Sequence, residues 1–168
     1  MDPLATRRLA AYALDMTCCL GIAAATVPLG LALRRGRPEW ISEPTVQDLS
    51  AVPVVAATAW AAWAESGSRQ GAPGKRAMGL RTEAVEGGRL PLPRAAVRAT
   101  AKVAIPWQPG HTATIHGMWG GFEKPDALLI SSYAATSAAM IAGIVHVVRR
   151  GGRTIPDLLA GSRVVRRS

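Results

Sequence analysis

Arg7-Arg8-Leu9-Ala10-Ala11-Tyr12-Ala13-Leu14-Asp15 opens an apolar segment that runs to Leu33 with Asp15 as its one charge. A carboxylate inside a membrane helix costs about 2.5–3.5 kcal/mol on insertion scales and normally faces a partner or a water-filled cavity. The stretch therefore predicts a membrane-crossing first helix and a buried role for Asp15. Arg7 and Arg8 ahead of the apolar run mark its cytoplasmic end. The run is too long for the core of a cleavable signal, and Asp15 interrupts it, so it reads as an uncleaved anchor.

Three further segments carry no Asp, Glu, Lys or Arg: Leu49–Ala64, Val103–Phe122 and Ala127–Val148. A span needs about 20 mainly apolar residues. With their flanks, the four segments read as spans over roughly 9–33, 49–66, 98–120 and 127–148. The second reaches that length when Glu65 snorkels or Asp48 sits among headgroups. The third is interrupted by Pro106, Pro109 and Gly110, which predicts a kinked or partly re-entrant helix. Mean hydropathy is only +0.15, because the apolar residues are largely Ala.

The formal net charge of +9 alone would allow nucleic-acid binding. Its distribution argues against that. With the N-terminus inside, all of the 20 Lys and Arg residues except Arg34, Arg35, Arg37 and Lys124 fall on the inner side. Glu39, Glu43, Asp48, Glu123 and Asp126 fall outside. This is the positive-inside asymmetry, and the basic inner face would attract anionic lipid headgroups of the bilayer. The expected architecture is an all-α membrane protein, a bundle of four transmembrane helices with a small cytoplasmic β-hairpin. It forms one domain over 1–168, multi-pass in the cell (inner) membrane, with a cytoplasmic loop over 67–97, a tail over 149–168 and both termini cytoplasmic.

The inner loop opens with Gly71-Ala72-Pro73-Gly74-Lys75-Arg76. It is no phosphate loop, because Arg69 stands where the first Gly belongs and Arg76 replaces the Ser or Thr that magnesium needs. It reads as a tight basic turn whose Lys75 and Arg76 meet lipid headgroups. Ala77–Val85, then Glu86-Gly87-Gly88, then Arg89–Leu92 alternate around a turn as a hairpin does. Because an isolated hairpin is marginal, residues 163–167 could add a third strand. In the tail, Thr154 followed three residues later by Asp157 resembles a capping box. Pro156 fits a first helical turn and Gly161 a stop, so a short interfacial helix is expected. Trp40 reads as an interface anchor, Trp60 and Trp63 as part of an aromatic belt. Cys18 and Cys19 are adjacent, which excludes a disulfide framework.

Arg8 and Asp15, the Gly71-Ala72-Pro73-Gly74-Lys75-Arg76-Ala77-Met78-Gly79-Leu80-Arg81 loop, Arg98, and Asp157-Leu158-Leu159-Ala160-Gly161-Ser162-Arg163-Val164-Val165 occur in this order. Together they resemble the RDD family of small bacterial membrane proteins, named for one Arg and two Asp residues. The corresponding positions are Arg8, Asp15 and Asp157. The loop departs from the family's usual Thr before Pro73, and Pro106-Trp107-Gln108-Pro109-Gly110-His111 resembles a variant found in part of the family. The resemblance implies topology first. It also implies a part in transport, since some members are linked to sodium–proton exchange.

Arg8 and Asp15 share a helix face but stand about 10 Å apart along the axis, so each pairs elsewhere. Arg8 can meet Asp157. Asp15 can meet Arg98 or Lys102, or His111 deeper in the span. Asp15 then either staples helices together or binds a cation or carries a proton. Burial raises a carboxyl pKa and a neighbouring Arg lowers it. Capping alone explains Asp157. His111 is either a buried hydrogen-bonding residue or an ion contact in a broken helix. His111 and His116 do not share a helical face, so no metal site is expected. No Ser/His/Asp or Cys/His arrangement appears, so neither enzymatic activity nor a cofactor is expected.

Two functions remain. One is a transport-associated protein exchanging monovalent cations against protons, with Asp15 as the site and Arg8 and Arg98 as its electrostatic tuners, within a homo-oligomer. The other is a non-catalytic accessory or assembly subunit of a larger membrane complex, its small residues packing closely against partner helices.

Overall fold

The computed structural model describes residues 3–36, 41–150 and 153–167. The chain is mostly helical. Three helices are long: α1 (Pro3–Gly36), α2 (Glu43–Ser66) and α6 (Ala127–Arg150). Between them lie a five-residue α3 (Pro73–Ala77), strand β1 (Leu80–Ala84), α4 (Leu92–Ala99) and α5 (Ile105–His116). The tail adds a five-residue α7 (Ile155–Leu159) and strand β2 (Ser162–Arg166). Trp40, the expected interface anchor, lies outside the described residues.

Among the described residues, one helix is long and apolar enough to cross a membrane: α6, over Ala127–His146. Four crossings were expected. α2 falls short because its uncharged stretch ends at Asp48 and Glu65, and Glu65 does not snorkel: it is buried.

Small residues build the core. Ala57 and Ala61 of α2 face Ala95 and Ala99 of α4 and Val103, with Cys19 of α1 closing the cluster. Each pair is spaced i, i+4, so each helix offers one flat stripe and the backbones approach closely. Trp60 packs against this cluster, whereas Trp63 is exposed.

α4 and α5 are one continuous helix joined by a π-helical turn, Thr100–Ala104, in which the Ile105 N–H bonds to the Thr100 carbonyl. The widened turn lies just before Pro106, whose ring would clash with a regular preceding turn. A kinked or partly re-entrant helix was expected around Pro106–Gly110; the chain stays helical through both prolines, and the irregular turn lies just before them. The departure comes at Trp119 and Gly120, where Gly120 takes φ 107° and ends the helix.

The β element keeps the expected tail strand but reduces the expected hairpin to a single bridge. β1 pairs antiparallel with β2 of the tail, Leu80 opposite Arg166 and Ala84 opposite Ser162. Arg89 makes only an isolated bridge to Glu83. The Gly87-Gly88 turn is present, both residues at positive φ, but the following Pro91 has no N–H to extend a ladder and starts α4 instead. Opposite charges seal the chosen pairing: Arg163 Nε donates to Glu83 at 2.8 Å across the strands.

Candidate functional site

The first four turns of α1, the end of α2, α3, α4 and the tail all meet at one end of the bundle. There, Arg8, Asp15, Glu65, Lys75, Arg98 and Asp157 are each less than a tenth exposed. Buried charges persist only when paired and hydrogen-bonded, and these are.

Asp157 is the best-satisfied carboxylate. It accepts from Arg8 at 2.8 Å and from Arg98 Nε at 2.9 Å. The Thr154 backbone N–H and hydroxyl add bonds at 2.9 and 2.8 Å. Asp157 is thus both the cap of α7 and the counter-ion of two guanidinium groups. Burial pushes its carboxyl up, but the Arg98 charge and the Thr154 bonds outweigh this and hold it down at about 2.

Asp15 plays a parallel part from a different helix. Its Oδ1 accepts the Gly74 backbone N–H at 2.8 Å, satisfying an otherwise orphaned donor in the first turn of α3. Its Oδ2 lies 3.4 Å from Lys102 Nζ and 3.9 Å from Lys75 Nζ. Position 74 must be Gly: a Cβ there would run into the Ala11 carbonyl and sit 2.8 Å from Asp15 Oδ1. Each short helix, α3 and α7, therefore has Pro in its first turn and an aspartate holding its first N–H groups.

Glu65 completes the network and is the residue that sequence reasoning placed wrongly. Arg98 Nη1 donates to it at 2.6 Å, and Lys75 pairs with the same carboxylate. Arg98 thus bridges Glu65 and Asp157. Its own position was legible, but Asp15 is not its partner. Lys75, read as a headgroup contact, is instead buried between Glu65 and Asp15; Gly74 lets α3 sit flat on α1 and turns Lys75 inward. Burial pulls its ammonium down to about 8, against the pull of Glu65 upward. Arg76, one residue on, is only half-buried. Gly71 packs against the Lys75 side chain, and Pro73 starts the helix.

His111 does not join this network. It meets Trp107 edge to face at 5.9 Å, and its Nδ1 is buried without a hydrogen-bond partner. At the opposite end of the bundle, His116 ties α2 to α6. Its Nδ1 is 2.7 Å from Glu43 and its Nε2 2.9 Å from Asp126. Both acids lie far from His116 in sequence or beyond the helix end, so spacing offered no signal. Among the described residues, no group of three or more His, Cys, Asp or Glu side chains could hold a metal ion.

A comparison against protein families covers nearly the whole chain. The model of the RDD family matches residues 3–161.

The chain belongs to the RDD family.

Membership and the apolar α6 mark it as a membrane protein. In this RDD chain Arg8, Asp15 and Asp157 fall inside one ion-pair network. No curated protein and no solved structure matches the chain.

Proposed function

We propose that this RDD protein crosses the inner membrane four times with both termini in the cytoplasm, as a non-catalytic accessory or assembly subunit. Its cytoplasmic-end ion pairs latch the helices to the tail. Length supports the crossings: α1 has 34 residues and α2 and α6 have 24 each, at 1.5 Å per residue more than a hydrocarbon core of about 30 Å.

The observation that carries the functional reading is the occupation of Asp15. One oxygen accepts the Gly74 N–H and the other faces two ammonium groups. A third cation placed there would be repelled by Lys75 and Lys102. A latch needs this arrangement; a cation site does not. The bare flank of α6, of which only 11% is buried across its apolar window, suits lipid or a partner helix.

Monovalent cation–proton exchange is the second reading, and one observation favours it. Asp15 and Lys75 line the same cavity, and the lowered Lys75 ammonium, at about 8, could trade a proton near neutral pH. Cation-driven proton flux in proteoliposomes separates the two readings, with sodium, lithium and potassium tried on wild type and on Asp15→Asn. The expected result is no flux from folded protein. Flux in the wild type that Asp15→Asn abolishes would establish the exchanger instead.

A further inference from the structure

A cavity of about 290 Å³ lies between α1, the π-helical turn, α6 and α7. Its two ends differ in chemistry. At one end Arg8, Lys75, Arg98 and Lys102 line it, with Asp15 as the one acidic residue among its described lining. Glu65 and Asp157 do not line the cavity, but they pair with Arg8, Lys75 and Arg98, which leaves Lys102 as the cation with the loosest ties. The opposite wall is the α6 face around Ala139 and Gly143. Met140 and Ile144 at its margin are about half exposed, so the cavity opens along the helix that meets the membrane criterion.

A cationic pocket floor continuous with an apolar, lipid-facing wall fits one kind of molecule. We propose that this cavity binds an anionic phospholipid, its phosphate on Lys102 at the edge of the paired cations and its acyl chains leaving along α6. The proposal rests on the membrane placement argued above and narrows a general attraction for anionic headgroups to one built site. Size supports it. Small-molecule pockets run from about 300 Å³ upward, so this one takes a headgroup phosphate and the start of a chain, not a whole lipid. Lys102 is the anchor best able to turn toward the ligand. It is 3.4 Å from Asp15 and 5.4 Å from the centre of the Tyr12 ring, both long contacts, and its side chain keeps 14% exposure. Gly143 marks the chain path, since a Cβ there would meet nothing within 4 Å.

Membrane insertion is read first and separately by alkaline carbonate extraction; release into the soluble fraction would overturn the placement itself. Detergent-purified full-length protein is then titrated in native mass spectrometry with phosphatidylglycerol, phosphatidylcholine or inorganic phosphate. We expect phosphatidylglycerol to be retained about tenfold better than phosphatidylcholine, because both bring a phosphate but the choline ammonium is repelled by the cations around the site. Gly143→Leu, which fills open space, and Lys102→Gln should each lower that retention about tenfold. The unfolding temperature of Gly143→Leu should stay that of the wild type. Equal retention of the two lipids would overturn the proposal, as would unchanged retention in Gly143→Leu. Inorganic phosphate displacing phosphatidylglycerol would also overturn it, by assigning the cations to a soluble anion.

Discussion

The two ends of the bundle use the same chemistry to opposite depths. At the end shared by α1, α3 and the tail, Asp157 is fully buried and Arg98 nearly so, and Asp15, Glu65, Lys75, Arg98 and Asp157 each have two or more partners. At the other end, His116 bridges Glu43 and Asp126 with good geometry, but Asp126 is half exposed. Water screens the second arrangement and is excluded from the first. Breaking a buried pair strands its partner, at about 3–5 kcal/mol, whereas exposed pairs contribute little. One end is committed to its charges; the other only gains convenience from them.

Removing the bridge should show the contrast most strongly. Arg98→Met leaves Glu65 and Asp157 short of a counter-charge, and denaturant unfolding in detergent should record a loss of about 3–5 kcal/mol. A loss no larger than that of His116→Gln would erase the distinction between the two ends. Gly74→Ala comes next. Its Cβ meets the Ala11 carbonyl and the Asp15 carboxylate, and parting α3 from α1 should cost about 1–3 kcal/mol, read by the same unfolding curve.

Acid sharpens the comparison. The Asp157 carboxyl is held at about 2 when folded, below its ordinary value near 3.9. A depressed carboxyl contributes stability above the unfolded value and loses it as pH falls through the folded one. Roughly 2 kcal/mol should therefore disappear between pH 4 and pH 2, and Asp157→Asn should flatten that part of the pH–stability profile. His116→Gln should do least, leaving the unfolding temperature of the wild type unchanged in high salt.

How much of this was legible depended on whether a residue's partner was local. Asp157 and Thr154 are three apart, and the cap was readable from that spacing alone. Arg8 and Asp157 are 149 positions apart; elimination along α1 joined them. Glu65 could not be placed because its partners, Lys75 and Arg98, come from two elements whose packing depends on Gly74 and on the Ala stripes. A lone acid at a span boundary looks the same whether it snorkels or turns inward. The tail strand was legible as an addition to a hairpin, but not that it would replace the hairpin's second strand: both segments alternate suitably, and Pro91 and the Glu83–Arg163 pair decide between them.

The bond from Arg8 to Asp157 has a consequence for biosynthesis. Arg8 leaves the ribosome 149 residues before its carboxylate exists. At about 5–20 residues per second, that is roughly 7–30 s of waiting. The first helix must spend this interval with a guanidinium whose final partner has yet to be made, so the finished latch is a checkpoint that only a chain translated through its tail can pass.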